Sequence, residues 1–301
     1  MIKSFEDIFT ELKSKQKKRL VAAWAVDDHT VTAAYRAAEM GIVDVTLVGN
    51  EKMIHEVCQA EKLDPSVFRI INNEDELASI AAAVDMINAG EGDILMKGLC
   101  STDKFMRGIL NKERGLLPPK AVLSHVAVVQ SPNYHKLLIL GDMAVIPLPD
   151  LKQKEAIARY LVNTAHAMGI EKPKLAIIAA TEQMLPGMQA CVDAAIIAKE
   201  ADRGQLKGCV ADGPLALDVA IDAESVAVKK VVSPVAGDAD CLLFPNIESA
   251  NVFYKVNSKL CKGVKMGAMV AGAKAPCVLA SRADSIDTKL NSIALAALSA
   301  K

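Results

Sequence analysis

Ser281, Arg282, Asp284 and Ser285 follow directly on the apolar run Cys277-Val278-Leu279-Ala280. After them, Ile286, Leu290, Ile293 and Leu298 recur at roughly helical spacing with alanines between, so the segment reads as strand, polar turn and helix. A helix start presents backbone N–H groups and the positive end of its dipole. An arginine beside a serine adds a planar donor set, and together these suit a phosphate or an oxyanion. A plain turn capped by Asp284 or Ser285 is the alternative, because both residue types are ordinary N-caps. A second loop has the same character. Lys97-Gly98-Leu99-Cys100-Ser101-Thr102 follows the apolar run Ile94-Leu95-Met96 and leads into a helix carrying Arg107. A lysine at a strand end, a glycine that lets the backbone come close and two hydroxyls before a helix make a second wall for an anion. The alternative there is a snorkelling lysine and a Ser/Thr cap.

The elements that must hold these loops alternate along the first third of the chain. Helical spacing covers residues 5–18, 28–40, 51–61 and 75–89, and apolar strand-like runs cover 19–25, 44–49, 68–71 and 93–96. Strand, helix, strand with Gly41 at a helix exit is the βαβ unit of a parallel sheet, whose ligands gather beyond the carboxyl ends of the strands. Leu117-Pro118-Pro119 interrupts the alternation. The runs 121–129 and 136–140 that follow are separated by only a short turn, which predicts a hairpin and hence antiparallel pairing. Helices at 154–168 and 189–200 and strands at 174–179, 208–211 and 241–244 make the second region α/β as well.

The whole composition narrows the function classes. The 301 residues carry 35 basic and 36 acidic side chains, a formal charge of −1, which gives no general attraction for nucleic acid or an anionic membrane. Any anion site must be local. Hydrophobic residues are 51% of the chain and aromatics only 4%, as suits an aliphatic, alanine-rich core of packed layers. Seven cysteines without a CxxC pair argue for a reducing cytoplasm, and the lysine- and acid-bearing N-terminus reads as a helix rather than an export signal. The histidines lack the close pairings of metal motifs, so no metal site is expected.

Several blocks in order carry a resemblance over essentially the whole chain: Lys97-Gly98 with Ser101-Thr102 and Arg107; residues 141–145; residues 212–218; Ser233-Pro234-Val235-Ala236-Gly237; residues 244–255; and residues 281–285. With these the sequence resembles the phosphate acetyltransferase and phosphate butyryltransferase family. The compact length and the 212–218 block look more like the butyryl branch. The resemblance implies a two-domain, three-layer α/β/α fold similar to isocitrate and isopropylmalate dehydrogenases, with the active site in the interdomain cleft. Residues 1–118 with 268–301 would form the first domain and 119–267 the second.

The implied reaction is reversible: acyl-CoA plus phosphate gives acyl phosphate plus CoA, by direct transfer in a ternary complex, with no bound cofactor and no metal. Coenzyme A and phosphate are then the partners, alongside a homodimer or higher homo-oligomer and metabolic coupling to an acyl kinase. Carried over by motif, Arg282 and Arg107 contact phosphate, and Ser281 hydrogen-bonds the thiol or the tetrahedral oxygen. Lys97, Ser101 and Thr102 line the anion site. By their spacing, four apart on one helix face, Asn251 and Lys255 are close enough to serve one ligand, the alternative for Lys255 being a solvated helix residue. The thiol needs a base. The acetyl branch places its carboxylate one residue beyond Asp287, where this chain has Thr288, so the base falls to Asp284 or Asp287. The rival readings are a phosphate acetyltransferase, a metal-dependent dehydrogenase of the same architecture using Asp212, Asp218, Asp238 and Asp240, and a non-catalytic acyl-CoA-binding protein.

Overall fold

A computed structural model of the chain describes residues 2–280 and 284–301. It divides into two units, one made of residues 5–123 with 266–301, the other of residues 124–265 with the N-terminal stretch up to Ser4. That stretch belongs to the second unit because the Ile2 N–H donates to the carbonyl of Met168 at 3.2 Å.

In the first unit α1 (Phe5–Lys13) precedes β1 (Lys18–Ala23), α2 (Asp28–Glu39), β2 (Val43–Gly49), α3 (Glu51–Glu61), β3 (Phe68–Asn72), α4 (Glu76–Asn88), β4 (Ile94–Lys97) and α5 (Thr102–Leu110). In the second come β5 (Ser124–Gln130), β6 (Leu138–Gly141), α6 (Leu151–Ala167), β7 (Lys174–Ile178), α7 (Gln189–Asp202), β8 (Val210–Leu215), α8 (Leu217–Ile221), α9 (Ala223–Lys229), β9 (Cys241–Leu243) and α10 (Ile247–Lys259). The chain then returns to the first unit with β10 (Lys265–Ala271), β11 (Cys277–Val278) and α11 (Ile286–Ser299).

The strands of the first unit lie in the order β3-β2-β1-β4-β11-β10, parallel except where β10 meets β11. Because β2 and β3 lie to one side of β1 and β4 to the other, right-handed crossovers put α2 and α3 on one face and α4 on the opposite face. The core is aliphatic: Leu20, Leu47, Ile54, Ile94, Leu95 and Met96 are fully buried. The second unit orders its strands β5-β6-β9-β7-β8, with β5 and β6 antiparallel as their short connection requires and the rest parallel.

The sequence reading and the structure part at ends and irregular pieces. The first helix stops at Lys13 instead of 18, and β1 stops at Ala23 because Trp24 turns into the left-handed region at φ 52°. The strand expected at 208–211 runs further: β8 passes through Pro214 to Leu215, and α8 begins at Leu217. Asn246 caps α10, accepting from the Ser249 N–H at 3.0 Å.

Candidate active site

Three strands of the first unit end side by side. Ala23 of β1 pairs with Lys97 of β4, and Met96 of β4 pairs with Val278 of β11, all in parallel. The helices α2 and α5 and the turn into α11 therefore leave from one edge, and the order reverses between β2 and β4 around β1. That is the switch point where open parallel sheets bind ligands.

The loops after β1 and β4 are stapled together there. The Gly98 N–H donates to Ala23 at 2.9 Å and the Leu99 N–H to the carbonyl of Trp24 at 2.9 Å. A Cβ on Gly98 would lie 2.2 Å from that carbonyl oxygen, so only glycine fits. Lys97 is 3% exposed, and its Nζ donates to the carbonyls of Gly98 at 3.1 Å and Cys100 at 2.8 Å. Ser101 caps α5, accepting from the Lys104 N–H at 3.3 Å, and its own N–H donates to Glu76. Thr102 stands exposed in the first turn. Arg107 is on the outer side of α5, paired with Asp103 at 3.1 Å, and lines a groove floored by Ile80 and Val84 of α4.

Ser281 and Arg282 lie outside the described residues. The two carboxylates flanking that position part company. Ser285 is the cap of α11, accepting from the Thr288 N–H at 3.1 Å. Asp284 sits in the turn, where its carbonyl accepts from Nδ1 of His29 at 3.2 Å, so the His29 proton is on Nδ1. Asp287 faces outward, 81% exposed, in an ion pair with Arg36 at 3.1 Å.

Two further residues at this edge have no place in the sequence reading. Lys289 is 3% exposed on α11, which packs against α2. Burial pushes its ammonium below the ordinary lysine range, although the charges of Asp27, Asp284 and Asp28 pull it back up. Asp27 caps α2, accepting from the Thr30 N–H at 2.9 Å through Oδ1, while its Oδ2 is buried with no hydrogen-bond partner among the described residues. A sequence signal for Lys289 existed. Residues 290–300 contain no charge, and a helix apolar on all sides is a buried helix, so a lysine at its start is drawn in with it.

The candidates of the second unit are held differently. The Nδ2 of Asn251 donates to the carbonyl of Met143 at 3.0 Å, whereas Lys255 on the same helix is exposed over the ring of Tyr254. Asp142 is buried and accepts from the N–H groups of Ala144, Val145 and Ile146 at 2.9, 3.0 and 3.1 Å; burial still raises its carboxyl above the usual range. Asp218 pairs with Lys229 at 2.9 Å, and Asp238 with Lys174 at 2.8 Å. These aspartates close loops, and among the described residues no three His, Cys, Asp or Glu side chains are placed to hold a metal ion.

The cysteines are all free, and burial raises the thiol of Cys100 to about 11 and that of Cys277 to about 12. Neither is a ready nucleophile, since the thiolate is the reactive form.

Comparison with known proteins decides the family. The family model described as Phosphate acetyl/butaryl transferase matches residues 4–81 and 76–297. The chain belongs to this family. The phosphate acyltransferases it resembles span both branches. A phosphate butyryltransferase of Clostridium acetobutylicum is 45% identical over 99% of this chain and 98% of that protein. A phosphate acetyltransferase of Thermotoga maritima is 38% identical over 98% of this chain and 99% of that protein. Among solved structures, a branched-chain phosphotransacylase from Enterococcus faecalis V583 superposes with a TM-score of 0.83 at 28% identity, covering 94% of this chain and 98% of that one. As a phosphate acyltransferase the chain is an α/β enzyme, and no helix among its described residues is long and apolar enough to cross a membrane.

Proposed function

We propose that the chain transfers a short acyl group between coenzyme A and inorganic phosphate in either direction, with butyryl as the preferred group. The observation that carries this is the 45% identity to a phosphate butyryltransferase over 99% of the chain. The strand-end edge supports it, because the buried Lys97 fastens the loop between β4 and α5 and so fixes a helix start at the switch point, where an anion is favoured.

In the direction of thioester synthesis, the CoA thiol gives its proton to a base. The sulfur attacks the acyl carbon, the carbon–oxygen bond to phosphate breaks, and phosphate leaves. Arg282 and Arg107 orient the phosphate, with Arg107 released from Asp103 to do so, and Ser281 hydrogen-bonds the thiol or the tetrahedral oxygen. Lys97, Ser101 and Thr102 complete the anion site, Asn251 and Lys255 contact CoA, and Asp284 or Asp287 is the base. Orientation of two anionic partners at one carbonyl is much of the barrier in such a reaction. The enzyme works in the cytoplasm as a homodimer or larger homo-oligomer, with no bound cofactor, and an acyl kinase consumes its acyl phosphate.

The test is release of free thiol from acetyl- through hexanoyl-CoA, with and without phosphate. Phosphate-dependent release, fastest with butyryl-CoA, is expected. Fastest release from acetyl-CoA would move the chain to the acetyl branch, and absence of phosphate-dependent release from every member would overturn the reading.

A further inference from the structure

The helix α10 has two different faces. Ala250 and Tyr254 turn inward, and the ring of Phe253 lies against that of Phe244 with centroids 5.5 Å apart. Val252, Val256 and Leu260, the last at the C-cap, follow at i, i+4 and i+8 on the outer side, exposed by 62%, 40% and 78%. Positions four apart stand one above the other, so the three form a single apolar stripe along the helix. Among the described residues no other helix carries three exposed large apolar side chains at this spacing. Leu148, 76% exposed, is brought to the N-terminal end of the same helix, where the Ile247 N–H donates to the carbonyl of Pro147 at 3.0 Å. Single exposed apolar residues are ordinary, but a contiguous row of them marks a surface that a partner covers.

The charges beside the stripe identify that partner. Glu248 lies one turn before Val252, and Lys255 and Lys259 lie toward the other end, all three exposed. At about 100° per residue, these three fall within roughly 40° of one another, on one flank of the stripe. That flank therefore runs from negative to positive along the helix. Laid parallel to a copy of itself, it would set like charge against like. Turned end to end about a twofold axis between residues 252 and 256, it sets Glu248 of each copy toward Lys259 of the other and Val252 against Val256. A helix pair alone is smaller than the roughly 800 Å² per partner of a stable interface, so the stripe is the apolar centre and Leu148 extends it at both ends.

We infer that two copies of the chain associate through α10, antiparallel about a twofold axis, with Val252, Val256 and Leu260 buried between them and Glu248 paired across to Lys259. The inference rests on the homo-oligomer of the reading above and names the surface that forms it.

The experiment is sedimentation equilibrium over a range of concentrations. It measures the dimer dissociation constant of wild type, V256E, E248K, K259E and the double variant E248K/K259E, each checked for its fold by circular dichroism. V256E puts a carboxylate from each copy at the twofold centre, so the constant should rise by at least about 100-fold. E248K and K259E each set like charges across the interface twice over, so each should raise it by about tenfold at low salt and by less at high salt. The double variant brings opposite charges together again and should return the constant to within about threefold of wild type. A role confined to one copy would not be rescued in this way. A wild-type dimer indifferent to V256E, or a double variant no tighter than its singles, overturns the inference. Should V256E fail to fold, the charge exchange, made at exposed side chains, decides alone. A wild type that stays monomeric overturns the homo-oligomer reading, and this inference with it. Phosphate-dependent thiol release tests acyl transfer in its own assay, so a failure there leaves the interface standing.

Discussion

Lys154 and Lys289 are equally hidden, at 4% and 3% exposure, one in each unit, and they teach opposite lessons about buried charge. Lys154 bridges α6 to Asp193 of α7, and both oxygens of that carboxylate are used. Nothing in the pair remains to act on a ligand, so its work is to join two helices. Lys289 is in α11, which packs against α2, and the charges of Asp27, Asp284 and Asp28 act on it. The same residue type, buried to the same degree, is held by one carboxylate in the second unit and lies under the charges of three aspartates in the first.

Breaking the closed pair should produce the largest effect on stability. K154M leaves Asp193 buried beside a methionine, and removal of one partner from a buried pair costs about 3–5 kcal/mol. The expected outcome is a much lower Tm, read by thermal unfolding, with kcat per folded molecule close to wild type. A fall in kcat with Tm preserved would erase the contrast between the two lysines.

The loops sharpen the comparison at the next level of effect. G98A drives a Cβ to 2.2 Å from the carbonyl oxygen of Trp24, a backbone atom that cannot step aside as a flexible side chain would. Overpacking of this kind costs about 1–3 kcal/mol, and because the loop carries Lys97 and Ser101, turnover should fall by more than stability alone explains. Gly187 in the second unit has nothing within 4 Å of its Cβ position and no positive φ, so G187A should leave both Tm and kcat at wild-type values. Equal losses from the two substitutions would mean that the strand-end edge is no more demanding than an ordinary surface loop.

How much of this was legible in the sequence follows from the range of the forces involved. The alternation from residue 19 to 97 is written locally, in apolar periodicity, so the parallel strands and the hairpin of β5 and β6 could be read directly. The cap at Asn246 is likewise a local hydrogen bond. The left-handed turn at Trp24 was not readable, because a bulky residue adopts it only when tertiary contacts impose it, here the donation from Leu99. The closeness of Asp27 to Lys289 escaped for the same reason. They lie 262 positions apart in the numbering, from 27 to 289, and only the packing of α2 on α11 makes them neighbours. Asp284 and Asp287 were both visible as carboxylates after the strand. Which of them faces the turn depends on where α11 is capped, and the cap at Ser285 decides it.

The smallest expected effect comes from the carboxylate that the sequence could not separate from its neighbour. D287N removes an exposed ion pair with Arg36, and such pairs contribute about 0.2–1 kcal/mol, less at high salt. Asparagine keeps the shape of the first turn of α11, and the Ser285 cap does not involve residue 287. The Tm should therefore drop by a degree or two at most, and kcat for butyryl phosphate plus CoA should stay within about threefold of wild type across the pH range, since no general-base contribution of the usual 100-fold or more is lost. D284N should lose that contribution under the same assay. If the two variants exchange these results, the proton goes to the outer face of α11.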